Sequence, residues 1–182
     1  MKYELIPPTD PRVLTLIAPF DEKILKEQDN LSPKEFADNM FETMFNYGGL
    51  GLSANQVGKP YRMFVMGGHP QIEQGKKRVC YNPTIKGYSK ETIRFREGCL
   101  SFPYLFLDIE RPRAVAIEYY DENMTKVEEN LTGISSRVFQ HEYDHMQGVI
   151  FTERVSKFKL KWAMDKRKKS INKAMKQLKR SI

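Results

Sequence analysis

Residues 141–145 read His-Glu-Tyr-Asp-His, and this short run constrains the fold more than any other stretch of the chain. Residues four apart share one face of an α-helix, about one turn from each other. If a helix forms here, His141 and His145 can hold one metal ion between their imidazoles. Glu142 sits beside that face, where its carboxylate can take a proton from a metal-bound water, the general-base arrangement of metal-assisted hydrolysis. The chain has three histidines. Two of them flank a glutamate at this spacing, which argues against a helix that carries histidines by chance.

A catalytic metal needs a third protein ligand and one open position. In metzincin proteases the third ligand is a histidine six residues after the second, following a glycine; here Gly148 is present but Phe151 occupies the ligand position. In thermolysin-like proteases a glutamate well downstream on another helix completes the set. Only Glu153 and Asp165 follow His145, and Glu153 is too near in sequence for that role. Upstream, Cys99 lies in Arg96-Glu97-Gly98-Cys99-Leu100-Ser101-Phe102-Pro103, a stretch too short and too punctuated by glycine and proline to be a helix. A cysteine on such a turn can present a thiolate to a metal, which deprotonates it. Cys80, in the apolar run Arg78-Val79-Cys80-Tyr81, reads instead as an inert buried thiol.

Glu97-Gly98-Cys99-Leu100-Ser101 and Gln140-His141-Glu142-Tyr143-Asp144-His145 resemble the second and third signature motifs of peptide deformylases. The first signature, a glycine-rich GxGxAAxQ, has its counterpart in Gly49-Leu50-Gly51-Leu52-Ser53-Ala54-Asn55-Gln56, and the three stand in the family's order. The resemblance runs from about residue 1 to 155, including the prolines Pro7, Pro8 and Pro11 and the pair Asn82-Pro83. Two departures are visible. Ser53 replaces the first alanine of the glycine motif, and Met146 stands where leucine is commoner. The resemblance implies a divalent metal on Cys99, His141 and His145, usually ferrous iron, with zinc, nickel or cobalt able to occupy the site. It implies that Glu142 is the base, that Gln56 and the backbone N–H of Leu100 hold the developing oxyanion, and that Leu50, Gly51 and Gly98 pair with a peptide as an added strand. The implied reaction removes the formyl group from the N-terminal formyl-methionine of new polypeptides and releases formate. An apolar pocket that includes Leu50 and Val138 would take the methionine side chain.

A chain of 182 residues, 40% hydrophobic and 12% aromatic, is long enough to bury a sizeable core and ordinary in composition for a globular domain. Its longest apolar runs fall short of the ~20 residues that span a bilayer, and its start lacks the apolar stretch of a signal peptide. Two cysteines, one of them a candidate ligand, suit a reducing compartment. The expectation is a cytoplasmic protein of a bacterial or phage-infected cell, with plastid or mitochondrial origin left open, and no membrane partner.

Ser32-Pro33-Lys34-Glu35 combines a serine N-cap, proline at the first helical position and glutamate at the third, so a helix should start there. Phe36, Met40 and Met44 form its apolar stripe, and Gly48-Gly49 ends it. Residues 61–66 and 115–119 read as strands, the latter entering a turn at Asp121-Glu122-Asn123. The segment from Ser135, closed by Gly148, is the candidate metal-bearing helix. The expected fold is α+β, antiparallel strands packed around a central HExxH helix, with an N-terminal helix and a basic C-terminal helix. Asp144 either pairs with Arg111 or is a solvated surface carboxylate. Arg137, one turn before His141, faces either a peptide or water. His69 reads as a loop residue without a metal role.

The chain divides into a catalytic unit, 1–155, and a tail, 156–182. The tail holds eleven Lys and Arg against one Asp, a net +10, so the remainder carries −3 of the total +7. Ile171, Ala174, Met175, Leu178 and Ile182 recur at helical spacing in it. Such a helix either lays its stripe on the domain or offers a polyanion many phosphate contacts, as in ribosomal RNA. Two other functions stay in view: an RNA-binding protein with a degenerate enzyme core, and an HExxH endopeptidase. The intact set Cys99, Glu142, His141 and His145 weighs against the first.

Overall fold

The computed structural model describes residues 2–70 and 72–180. Helix α1 (Glu22–Asp29), on which the sequence reading is silent, is capped by the Asp21 carboxylate, which accepts from Lys23 N–H, and ends at Asn30 in the left-handed region. Helix α2 (Pro33–Asn46) forms as its capping signals require: the Ser32 hydroxyl accepts from Glu35 N–H while the Glu35 carboxylate accepts from Ser32 N–H. Its stripe of Phe36, Met40 and Met44 is fully buried against Leu52, Met63, Val65 and Tyr81. Each such side chain contributes about 1.5–3 kcal/mol on leaving water.

Seven strands follow: β1 (Gly51–Ser53), β2 (Met63–Gly67), β3 (Lys77–Tyr88), β4 (Thr92–Gly98), β5 (Phe106–Pro112), β6 (Ala114–Tyr120) and β7 (Lys126–Thr132). Among the described residues they make an antiparallel five-stranded sheet in the order β1-β2-β3-β6-β7 and a separate two-stranded sheet, β4-β5. The β6–β7 turn is held by the Asp121 carboxylate, which accepts from Asn123 N–H and Thr125 N–H at 2.9 and 2.8 Å. The second sheet was not expected from the sequence. Its inward positions, Glu97, Leu107, Ile109 and Arg111, include two charges, which hide the apolar alternation of a half-buried strand.

Helix α3 (Gly133–Met146) carries the two histidines and starts two residues earlier than expected, because Thr132 takes the extended cap conformation and Gly133 turns the chain at φ 58°. Phe139 and Met146 press it onto Phe64, Met66, Ile117 and Leu131 of the large sheet. The other face of α3 looks toward β4-β5. Helix α4 (Lys157–Arg180) lays Leu160 and Ala163 against Leu105, Leu107, Ile109 and Phe151, so its first turns share a core with the small sheet. Farther along, Ile171 and Ala174 are half-buried and Met175 is exposed, while the side chains of Leu178 and Ile182 lie outside the described residues.

Across the large sheet, buried Arg78 donates from Nε and Nη2 to Glu129 at 2.7 and 3.0 Å and pairs with Glu73 at 2.6 Å. Burial alone would raise the Glu129 carboxyl, but the hydrogen bonds of Arg78, Lys76 and Tyr119 outweigh it and bring it to about 2, below its ordinary 4.5. A carboxyl with a depressed folded pKa contributes stability that is fully present above the unfolded value and is lost as pH falls through the folded one. The unfolding free energy is therefore expected to decline between about pH 4.5 and about pH 2, with a shallower decline in Glu129→Gln. Denaturant titrations across that range check this, and an unchanged slope in Glu129→Gln would contradict it.

Candidate active site

Strand β4 delivers Cys99 directly at its end, into a turn that closes with Phe102 N–H donating to Cys99 C=O at 2.9 Å. Helix α3 brings His141 and His145, with ring centroids 5.2 Å apart, to the same point. One ligand atom from each of the three residues lies within 4.8 Å of the others, and Cys99 Sγ stands 3.4 Å from His145 Nε2. Two imidazoles and one thiol facing each other at this range make a donor set suited to zinc or a comparable divalent ion. Burial and the nearby charges of His141 and Arg111 hold His145 well below the ordinary histidine pKa, so its ring nitrogen retains a lone pair for a cation. His141 differs: burial would lower it, but its hydrogen bonds to Cys99 and Glu97 raise it to about 10, so a cation bound there displaces a proton.

His141 is oriented from behind. Its Nδ1 lies 3.1 Å from Glu97 Oε2, which turns Nε2 toward Cys99. Glu97 also accepts from Arg111 at 2.7 and 3.0 Å and from Arg137 Nη1 at 2.7 Å. Burial opposes its charge, yet the hydrogen bonds of His141 and Arg111 hold its carboxyl at about 2. Arg111 reaches onward to Asp144 at 2.8 Å, and Arg154 pairs with the same carboxylate. Of the two readings open for Asp144, the structure has the buried ion pair with Arg111. Arg137 faces neither peptide nor water alone: besides Glu97 it donates to the carbonyls of Ile109 and Ile93. The sequence reading gave Glu97 no role and missed Arg154. The signal for Glu97 was its position two residues before Cys99, on the same side of a strand.

The glycine motif forms the opposite wall. Strand β1 runs so close to α3 that a Cβ on Gly51 would lie 2.5 Å from Glu142 Oε1 and 2.8 Å from Cγ and Cδ. Ser53, the departure from alanine, donates its hydroxyl to Glu142 Oε2 at 2.5 Å. Burial lifts the Glu142 carboxyl above its ordinary range, with the charge of His141 and this hydrogen bond opposing. Gln56 Oε1 accepts from Ser53 N–H at 2.9 Å, which leaves its amide hydrogens for Ser101 Oγ at 2.9 Å and Cys99 Sγ at 3.5 Å. Asn55 ties the motif to α3 by donating to His145 C=O at 2.9 Å.

These walls enclose a cleft of about 450 Å³. Leu50, Gly51, Gln56, Gly98, Leu100 and Val138 all line it, as do Cys99, His141 and Glu142. Every site residue expected from the sequence lines this cleft except His145, which is buried beneath it beside Cys99. Cys80 is buried in β3, where desolvation raises its thiol pKa, and His69 lies in the loop after β2.

Residues 16–161 match the family model for polypeptide deformylases. The chain belongs to the polypeptide deformylase family. A peptide deformylase of Christiangramia forsetii is 39% identical over 164 residues, covering 81% of this chain and 84% of that protein. One from a Thermotoga strain is 43% identical over 133 residues, covering 73% and 77%. Among solved structures, the peptide deformylase of Ehrlichia chaffeensis superposes with a TM-score of 0.80 at 32% identity over 96% of this chain and 99% of that one. As a peptide deformylase, the protein is a metallohydrolase that removes the N-formyl group from the N-terminal formyl-methionine of newly made polypeptides. No helix among the described residues is long and apolar enough to cross a membrane.

The close approach at Gly51 yields a test of the carboxylate's position. Gly51→Ala must push Glu142 away from the Ser53 hydroxyl, and a displacement of that size is expected to lower kcat by about tenfold to a hundredfold while metal content stays at the wild-type level. Steady-state kinetics beside metal analysis measure both, and unchanged kcat would show that the carboxylate does not need this place.

Proposed function

We propose that deformylation in this chain is carried by Glu142 as proton acceptor, Gln56 and the Leu100 N–H as oxyanion donors, and Cys99, His141 and His145 as ligands of one divalent metal. The observation that supports it best is the convergence of the three ligand atoms within 4.8 Å at a cleft that Glu142 and Gln56 also line. When bound, the metal supplies Lewis-acid polarisation and a water of lowered pKa. Glu142, desolvated and held at Oε2 by Ser53, takes a proton from the attacking water through its other oxygen and returns it to the leaving amine. Gln56, whose amide orientation is set by Ser53 N–H, redirects the hydrogen now on the long contact to Cys99 Sγ toward the formyl oxygen as negative charge develops there. Leu50, Gly51 and Gly98 offer main-chain groups to the peptide, and Leu50 and Val138 receive the methionine side chain.

We take ferrous iron as the physiological metal, with zinc, nickel and cobalt as substitutes; a single thiolate among imidazoles suits all four. The relative from Synechococcus elongatus, 30% identical with a TM-score of 0.78 over 91% of this chain and 85% of that one, was solved in complex with actinonin, and we assign the cleft described above as the site for that ligand here. We assign the protein to the compartment where formyl-methionine chains are made, the cytoplasm of a bacterial or phage-infected cell, with a plastid or mitochondrion as the alternative.

Base and ligand separate by mutation. Glu142→Gln is expected to keep its metal and lose deformylation by at least about a thousandfold, since an amide cannot accept the proton, whereas Cys99→Ala is expected to lose metal and activity together. Metal analysis of protein purified without oxygen, paired with formate release from formyl-Met-Ala-Ser, reads both. Glu142→Gln within tenfold of wild type would sink the base assignment. For the pocket, formyl-methionine peptides are expected to exceed formyl-glycine peptides in kcat/KM by about tenfold to a hundredfold, the ratio that burying a methionine side chain supplies. Equal values would remove Leu50 and Val138 from that role.

The tail, 156–182, is proposed as an extension that contacts ribosomal RNA. Leu160 and Ala163 belong to the domain core, so the phosphate contacts are assigned to the exposed Lys168, Lys169, Lys173 and Lys176 beyond them. Changing these four to Glu is expected to abolish co-sedimentation with ribosomes at low salt and to leave hydrolysis of formyl-Met-Ala-Ser intact. Equal co-sedimentation of variant and wild type would reduce the tail to a structural helix.

A further inference from the structure

The cleft does not end at the Cys99 turn. Arg96, Tyr104 and Phe106 line its mouth and also line a second groove of about 270 Å³, whose far wall is Trp162, Lys166 and Arg167 of α4. Residues 162, 163, 166, 167 and 170 fall on one helical face, and that face borders the groove. The far wall is fixed to the turn that bears Cys99, because Arg167 Nε donates to Pro103 C=O at 2.8 Å. In β4, side chains alternate, so Arg96 and Gly98 share the outer face, with Phe106 opposite Gly98 across the hairpin.

Two properties of this groove are not explained by packing. Its aromatics stay open to solvent, Trp162 by 64%, Tyr104 by 57% and Phe106 by 52%. They alternate with cations: Arg96 stacks over Phe106 at 4.9 Å from the ring centroid and Lys166 over Trp162 at 5.4 Å. Against Arg96, Lys166 and Arg167 the groove sets one acid, Asp108, so it is electropositive. A surface of this kind favours an extended chain that brings carboxylates to the cations and apolar or aromatic side chains to the rings.

We infer that this groove is a further substrate subsite, which binds the downstream part of the formyl-peptide and prefers acidic and aromatic side chains there. The inference rests on the cleft being the deformylation site, since the occupant is the continuation of the chain whose formyl end lies at Cys99, His141 and His145. Arg96 is two residues along β4 from Gly98, and an extended peptide advances about 3.3 Å per residue, so the near edge of the groove lies about 7 Å past Gly98 and its length takes the residues that follow roughly the third of the substrate. An enzyme that must accept every nascent chain at its methionine gains holding power here without restricting the residues next to the reacting bond.

Trp162 is the only tryptophan of the chain and therefore reports on the groove directly. The full-length, metal-loaded enzyme is given formyl-Met-Ala-Ser, formyl-Met-Ala-Ser-Glu-Phe-Glu and formyl-Met-Ala-Ser-Lys-Phe-Lys, and formate release is followed. The expected result is a KM about threefold to tenfold lower for the Glu hexapeptide than for the Lys hexapeptide, at equal kcat. Lys166→Glu is expected to abolish or invert that ratio, and Trp162→Phe to preserve it. In Glu142→Gln protein, which binds without turnover, the Glu hexapeptide should shift tryptophan emission, and the tripeptide should not. Equal KM for the two hexapeptides, a ratio unchanged in Lys166→Glu, or emission that responds to ribosomal RNA oligonucleotides and not to the Glu hexapeptide would each overturn the subsite. Failure of wild type to release formate from the tripeptide would instead count against the deformylation reading, and the emission titration with the Glu hexapeptide would then judge the groove alone.

Discussion

Glu97 is the carboxylate on which the site turns. It lies between a histidine of α3 and two arginines, one from β5 and one from α3, and it belongs to the strand that leads into Cys99. The proposed thiolate ligand follows directly on the small sheet and the two proposed imidazole ligands come from a helix pressed against the large sheet, so something must set the distance between these bodies. Apolar packing does this loosely; the chain Arg154, Asp144, Arg111, Glu97, His141 does it with directed hydrogen bonds. A buried network of this kind is a weak source of net stability, but removing one member strands a desolvated charge at a cost of about 3–5 kcal/mol. Its value here is registration: the same bonds that join β4-β5 to α3 fix the tilt of His141.

The glycine motif faces that network across the cleft and obeys a different constraint, close approach. Gly51 lets backbone lie against the Glu142 side chain, and Ser53, the next residue on that face of the same short strand, holds the carboxylate. The serine that departs from the family's usual alanine is thus in hydrogen-bond contact with the residue proposed as base. Gln56 receives its orientation from the backbone of that serine, so Glu142 and Gln56, the proposed base and oxyanion donor, are positioned by one segment. The start of α4 belongs to this arrangement as well. Leu160 and Ala163 support the core beneath the Cys99 turn and Arg167 pins the turn itself.

Local signals were legible in the sequence because their physics is local. The capping box at Ser32 and Glu35, the buried stripe of α2, the β6–β7 turn at Asp121 and the paired histidines of α3 each depend on residues within a few positions of one another, and each formed where expected. Cys99, Gln56 and Glu142 were singled out by chemistry joined to motif resemblance, not by periodicity, and they line one cleft. What escaped was made of contacts between distant segments. The β4-β5 sheet reads poorly because Glu97 and Arg111 occupy inward positions that a strand ordinarily gives to apolar side chains, and they are tolerated there only because each neutralises the other.

By itself, then, the sequence pointed to the candidate donors His141 and His145, the proposed base beside them and the helix that carries them, since spacing along a helix and the chemistry of His and Glu do not wait for tertiary contacts. Only the tertiary structure decided that Asp144 is a buried link and not a solvated charge, that Arg137 serves Glu97, that Ser53 grips Glu142, and that Trp162 stands across a groove from Phe106. Each of these joins residues tens of positions apart, and a buried ion pair or a shared groove has no periodic trace in either of the segments that form it.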